Sequence, residues 1–155
     1  MARTPALVAD FLGQRRIAVA GVSRGSASAA NPVFRKLRDS GYEVFPVNPN
    51  APQIEGVTCY ADLASLPRPV DGIVIATHPN VSAEVVRQAA ELKIPRVWLH
   101  WSFGQGSASP EAVEACGKAG IACIVGGCPL MYREPVDVAH RCLRGLLGWF
   151  GRLPR

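Results

Sequence analysis

The chain has 155 residues and a formal net charge of +5, and 48% of its residues are apolar. This length suits one domain with a substantial core, and the apolar content argues against disorder. No apolar run approaches the length of a membrane span, and the N-terminus lacks the layout of a cleavable signal. Five cysteines without a C-x-x-C pair predict reduced thiols and a cytoplasmic location.

Short apolar runs alternate with amphipathic segments along the whole chain. Helices are predicted at 6–12, 31–41, 81–92, 109–120 and 136–149, with a turn or helix at 61–66. Strands are predicted at 17–22, 43–47, 56–60, 70–76, 96–100 and 121–125. This alternation predicts an α/β fold with a mainly parallel sheet and helices on both faces. We expect a single domain over residues 1–150, followed by a frayed tail at 151–155.

The loop that begins at Gly21 and reaches Gly25 has the layout of a phosphate cradle. A buried strand leads into it, and we predict that Asn31 caps the next helix with Pro32 in its first turn. Free backbone N–H groups and the helix dipole favour an anion at such a place. A ligand of a parallel sheet lies at the carboxyl ends of the strands, which here also carry Asn48-Pro49, Thr77 to Asn80, His100 and Cys128.

Two common nucleotide and hydrolase patterns fit this loop poorly. Ser23 and Ser26 stand where a dinucleotide fingerprint has its second and third glycines, and the strand at 43–47 ends without the acid that binds ribose hydroxyls. We therefore disfavour NAD. The same loop matches the G-x-S-x-G nucleophile elbow, with Asp71 and a histidine following in hydrolase order. An elbow turns directly into a helix and follows several strands, so we disfavour a hydrolase as well.

Four segments at characteristic spacings carry a family resemblance. They are IAVAGVSRGSASAANPVFRKLRDSGYEVFPVNPN, IEGVTCYADLASLPRPVDGIVIATHP, PRVWLHWSFG and AGIACIVGGCPLMY, and they span about residues 17–132. This series resembles the CoA-binding protein family, the small stand-alone relatives of the nucleotide-binding domain in the succinyl-CoA synthetase alpha subunit. The resemblance implies a Rossmann-like three-layer sandwich that binds coenzyme A or an acyl-CoA. It implies a small-molecule ligand, with no established reaction. We expect no nucleic-acid or membrane partner.

Carried over by position, the resemblance places the ligand against three loops. The first loop, Gly21 to Arg24, matches the family's loop that holds CoA phosphate. The second loop, Asn48-Pro49, matches the segment beside the adenosine, and the third, Thr77 to Pro79, matches the loop that shapes the same groove. The implied binding residues are Gly21, Val22, Ser23, Arg24, Asn48, Pro49, Thr77, His78 and Pro79. Structural alternatives stay open, because the Ser23 hydroxyl could cap its own loop and Asn48 could brace the turn that follows it.

The far side of the expected cleft departs from the family. Gly126-Gly127 replaces a common Asp-Arg before Cys-Pro, and the stretch from His100 to Gly104 replaces Gln-x-Gly. The alternative function is an enzyme that acts on a CoA thioester through a His100–Cys128 pair, because an imidazolium stabilises a thiolate. We favour a non-catalytic binding module without a bound metal. We also predict that Cys128 is accessible enough to form a mixed disulfide with CoA, with an inert packed thiol as the alternative.

The predicted C-terminal helix carries a broad apolar face, made of Val136, Ala139, Leu143, Leu146 and Leu147. We expect this face to cover one side of the sheet. Trp149 and Phe150 follow at the end of a basic helix, which could also lie on a membrane or contact a second subunit. Of these, we favour packing against the core, with the aromatic end as the contact of a homodimer.

Overall fold

The computed structural model describes residues 4–25, 27–101 and 105–154, and its secondary structure follows the predicted alternation. The strands are β1 (Arg16–Ala20), β2 (Glu43–Val47), β3 (Gln53–Ile54), β4 (Val57–Thr58), β5 (Gly72–Ile75), β6 (Arg96–Leu99) and β7 (Ala122–Val125). The helices are α1 (Ala6–Leu12), α2 (Ala30–Asp39), α3 (Pro79–Glu91), α4 (Pro110–Ala119) and α5 (Val138–Trp149), with a short 3-10 helix at Pro129–Met131.

The main sheet has the strand order β2-β1-β5-β6-β7, and every neighbouring pair is parallel. Strands β3 and β4 form a separate antiparallel hairpin between β2 and β5. After β1 the chain first adds β2 on one side and then returns to add β5 on the other. The strand order therefore reverses between β1 and β5, which is where open α/β sheets have their ligand crevice.

Helices cover both faces of the sheet, so the predicted Rossmann-like three-layer sandwich is confirmed. Helices α1, α2 and α5 pack on one face against Ile17, Val19, Val74 and Trp98, among others. Helices α3 and α4 pack on the other face against the alternate strand positions, including Ala18, Ile73 and Ile75. Because successive strand residues point to opposite faces and both faces are covered, β1 and β5 read as continuous apolar runs.

The predicted bounds and apolar face of α3 need correction, whereas the turn that was one of two alternatives at 61–66 is confirmed. Helix α3 begins at Pro79, because His78 caps it and proline fits the first helical turn. Its buried face includes Ser82 and Val86, whereas Val81 and Leu92, the two ends of the predicted helix, are about half exposed. Residues 61–66 form turns, in which the Asp62 carboxylate accepts a bond from the Ser65 backbone at 2.8 Å.

The end of the chain is built around α5. Leu143 and Leu147 are buried as predicted, but Leu146 is 56% exposed. Beyond the helix, Leu153 packs against the apolar cluster under α5, and Pro154 is buried. The frayed tail at 151–155 stays a prediction, although these contacts hold its residues 153 and 154 against the domain.

Candidate functional site

The crevice at the switch point is shaped by Gly21. This residue follows β1 with a φ of +101°, a conformation that favours glycine. A Cβ at this position would lie 2.4 Å from the carbonyl oxygen of Ala76, which follows β5. The Gly21 N–H also donates to the Val47 carbonyl at 3.2 Å. Glycine is therefore required for the chain to leave β1 between its two neighbouring strands.

The first turn of α2 holds the loop after Gly21 through the side chain of Asn31. Its Oδ1 accepts a hydrogen bond from the Ser23 backbone N–H at 2.8 Å, and its Nδ2 donates to the Ser23 carbonyl at 2.7 Å. The prediction that Asn31 caps the helix is wrong, because α2 begins at Ala30 and Asn31 lies inside it, 5% exposed. The Ser28 hydroxyl accepts instead from the Ala30 N–H at 3.2 Å and donates to the Gly21 carbonyl at 2.7 Å.

A second brace comes from the loop after β2. The Asn48 Nδ2 donates to the Val22 carbonyl at 2.6 Å, and its Oδ1 accepts from the Asn50 backbone at 2.8 Å. The Arg24 guanidinium in turn donates to the Asn50 carbonyl at 3.3 Å. Asn48 does brace the turn into Pro49, and it also ties that turn to the first loop. The structure thus brings two of the three sequence-predicted loops into contact.

A cleft of about 290 Å³ opens beside these two loops. Its lining residues are Ser23, Arg24, Gly25, Asn31, Arg35, Ile54 and Glu55. The Ser23 hydroxyl donates to the Gly25 carbonyl at 3.0 Å. It therefore stabilises its own loop, which was the structural alternative to phosphate binding. Arg35 and Glu55 were missed by sequence reasoning. Arg35 could have been found from Asn31, because residues four apart share one face of a helix.

The third predicted loop lies on the other side of Gly21. Thr77 lies just after Ala76 at the end of β5, and its Oγ1 lies 3.1 Å from the buried Ser82 hydroxyl. The Nδ1 of His78 accepts from the Asn80 backbone N–H at 3.3 Å, and Pro79 opens α3. These residues border the switch point but do not line the 290 Å³ cleft. Their contact with a ligand stays a prediction.

His100 directly follows β6, and Cys128 lies beyond the end of β7 and precedes the 3-10 helix. The two do not form a reactive pair. Burial and the nearby His140 lower the pKa of His100 to about 4, and burial raises the pKa of Cys128 to about 12. Both side chains are therefore neutral at physiological pH, whereas a nucleophilic cysteine needs its thiolate. The predicted accessibility of Cys128 is wrong, since the residue is 3% exposed.

The C-terminal tail packs against the turn that precedes Cys128. Gly127 has a φ of +65°, and a Cβ built on it would lie 2.6 Å from the Pro154 side chain. The close approach that the Gly126-Gly127 pair allows is thus made by the chain's own tail rather than by a ligand. Residues 102–104, which belong to the departing stretch after His100, lie outside the described residues.

Two further observations concern the part of the chain that the structure describes. No helix there is long and apolar enough to cross a membrane. Within the same residues, no three His, Cys, Asp or Glu side chains are grouped so that they could hold a metal ion.

A family model described as a CoA binding domain matches residues 15–134. The chain belongs to this family. The match includes β1 to β7, both braced loops and the cleft that the first loop forms with α2 and the β3–β4 hairpin. The candidate site therefore lies within the residues that the family model matches.

Three relatives illustrate how far this likeness extends. The uncharacterized protein YneT of Bacillus subtilis is 27% identical over 81% of this chain and 85% of its own length. The solved structure of a hypothetical protein from Pyrococcus horikoshii has a TM-score of 0.76 at 25% identity, covering 88% of this chain and 99% of the other. An ADP-forming acetate–CoA ligase of Archaeoglobus fulgidus is 30% identical over 53% of this chain, which is only 12% of the ligase.

Proposed function

We propose that this protein binds coenzyme A or an acyl-CoA at the carboxyl edge of its sheet, as a binding module without a reaction of its own. The observation that carries the proposal is the braced loop from Gly21 to Gly25, which Asn31 and Asn48 hold beside a cleft that contains two arginines. A preformed loop lowers the ordering cost of binding, and guanidinium groups form strong charge-assisted bonds with phosphate.

Within this proposal the three loops divide the ligand between them. The phosphates lie against Ser23 and Arg24, and the adenosine lies beside Asn48-Pro49. The third loop, at Thr77 to Pro79, closes the groove on the far side of Gly21. The Ser23 hydroxyl must turn away from the Gly25 carbonyl to donate to a phosphate oxygen, so we expect its contribution to be small.

An enzyme that uses His100 and Cys128 is the alternative function. The neutral state of both groups argues against it, because neither a thiolate nor an imidazolium is present near neutral pH. We therefore place no catalytic step at this edge of the sheet.

The experiment that tests the proposal is calorimetric titration of the protein with CoA, acetyl-CoA, NAD, NADP and ATP. We expect CoA and acetyl-CoA to bind and NAD not to bind, because the end of β2 lacks an acid for the ribose hydroxyls. Tight NAD binding together with no CoA binding would overturn the proposal. The enzymatic alternative is tested by incubating the protein with acetyl-CoA and assaying the released thiol. Hydrolysis faster than in buffer alone would support that alternative.

We also propose a cytoplasmic, homodimeric protein. The exposed side of α5 carries Val138 at 75% and Leu146 at 56% exposure, and the helix end carries Trp149 at 88% and Phe150 at 65%. Large aromatic side chains dominate the energetics of many interfaces. A second copy of this chain is the occupant we expect for this surface.

A further inference from the structure

The candidate cleft contains an ion pair that no sequence pattern indicated. Arg35 on α2 and Glu55 in the β3–β4 hairpin both line it, and their side chains meet with an Nη1–Oε1 distance of 2.5 Å. The second carboxylate oxygen of Glu55 lies 3.6 Å from Nη1 of Arg38, one turn further along α2. Glu55 thus links the hairpin to two arginines while its side chain is 27% exposed.

The backbone at Glu55 runs against the preference of its residue type. Glu55 and Gly56 form the two-residue loop between β3 and β4, with φ values of +50° and +78°. Loops of this kind favour Asn-Gly, because glutamate rarely adopts a positive φ and asparagine does so more readily. A carboxylate is therefore held at the edge of the cleft in a conformation that another residue would suit better. Such local departures cluster at functional sites.

We propose that Arg35 is a phosphate subsite of this cleft and that the Glu55 carboxylate occupies it until a ligand phosphate displaces it. The inference rests on the proposed binding of CoA. A carboxylate and a phosphate oxygen make the same kind of bond to a guanidinium, and a phosphate brings the greater charge. Glu55 is in this sense an internal substitute for the anion.

The second arginine makes the exchange feasible. When a phosphate takes Arg35, the Glu55 carboxylate can keep its contact with Arg38, so it is not left without a cation. Arg38 also donates from Nε to Asp39 at 2.9 Å, which keeps this guanidinium on the surface of α2 rather than in the cleft. The device selects for ligands that bring a phosphate to Arg35, because a neutral ligand cannot displace the carboxylate.

The test compares CoA and dephospho-CoA by calorimetry on the full chain and three variants. Glu55→Gln removes the competing charge, and we expect it to tighten CoA on the order of fivefold, the size of one partly exposed ion pair. Arg35→Gln should weaken CoA on the order of tenfold by removing a charge-assisted bond. Glu84→Gln is the matched control, because Glu84 pairs with Arg87 on α3, across the sheet from α2.

A second substitution guards against a folding defect in the hairpin. Glu55→Asn removes the same charge and suits the positive φ, so it should tighten CoA as Glu55→Gln does while the melting temperature stays or rises. The two ligands identify which phosphate reaches Arg35. A gain confined to CoA indicates its 3′-phosphate, and a gain shared with dephospho-CoA indicates the pyrophosphate.

The outcomes separate this inference from the proposed function. If CoA binds and both Glu55 variants change its affinity no more than Glu84→Gln does, Glu55 is only a clasp between hairpin and helix, and the inference is overturned. If Arg35→Gln leaves CoA affinity unchanged, Arg35 is not a subsite. If CoA binds to none of the proteins, including the unaltered chain, the proposed function itself has failed.

Discussion

Replacing Asn31 by alanine removes the brace on which the candidate site depends. The side chain supplies two hydrogen bonds to Ser23, one to its N–H at 2.8 Å and one to its carbonyl at 2.7 Å. Asn31 itself is almost fully buried, whereas Ser23 is half-buried. Alanine keeps the helical backbone of α2 intact, so the change is confined to the loop.

The expected loss follows from these two bonds. Each contributes about 1 kcal/mol net, a value that already allows for the water that solvates the half-buried Ser23 once the bond is lost. We therefore expect the free energy of unfolding to fall by about 2 kcal/mol. A loop that must be ordered on binding also costs affinity, and we expect CoA to bind on the order of tenfold more weakly.

The assay is urea denaturation for stability and calorimetry for CoA affinity, measured on Asn31→Ala and on a control. Gln14→Ala is a suitable control, because this variant also loses a side-chain amide hydrogen bond, the one from Gln14 to the Asp10 carbonyl. Gln14 precedes β1 and therefore lies at the opposite edge of the sheet from the candidate site. We expect the control to keep CoA affinity. Equal affinities of Asn31→Ala and the unaltered chain would refute the reasoning that the braced loop forms the site.

Three further predictions address the rest of the molecule. The folded-state pKa of His100 is about 4, below its ordinary value of 6.5, so the protein has its full stability above about pH 6.5 and loses stability as the pH falls toward 4. The expected fall in the free energy of unfolding is about 3 kcal/mol, and urea denaturation of His100→Asn across this pH range should not show it. Cys128 should resist CoA disulfide in the native state while the exposed Cys142 reacts, and a mass-spectrometric adduct on native Cys128 would contradict its burial. Trp149→Ser should convert the expected homodimer to a monomer in light scattering, and a monomeric unaltered chain would end that proposal.

The fold could be predicted from the sequence because its signals are local. Alternating apolar runs and helix periodicity predicted α1 and β2 with the bounds that the structure has, and the sequence of strand, glycine-containing loop and helix singled out the loop at Gly21. Asn31 followed by proline reads locally as a helix cap. Its actual partner lies eight residues earlier in the chain, and such a tertiary bond has no periodicity in the sequence.

The errors at the far side of the crevice have the same origin. Gly126-Gly127 before a cysteine suggests an open turn, and nothing near it in sequence shows that Pro154 packs there. Glu55 likewise lies 20 residues from Arg35, in a hairpin that the sequence indicated only as a single short strand. Long-range contacts, which the secondary structure does not reveal, therefore determine which residues at this edge of the sheet are exposed and which charged side chains are paired.

The same contacts change how the loop can hold an anion. A phosphate cradle usually relies on free backbone N–H groups, but the Ser23 N–H is already used by Asn31. The positive groups that line the cleft are instead the guanidiniums of Arg24 and Arg35. Among the residues that the structure describes, Arg24 donates from Nη2 to the Asn50 carbonyl. A guanidinium has five N–H donors, so Arg24 keeps donors for a ligand while it ties two loops together. We therefore expect arginine side chains to bind a ligand phosphate here, and the proposed exchange requires the Arg35–Glu55 ion pair to open.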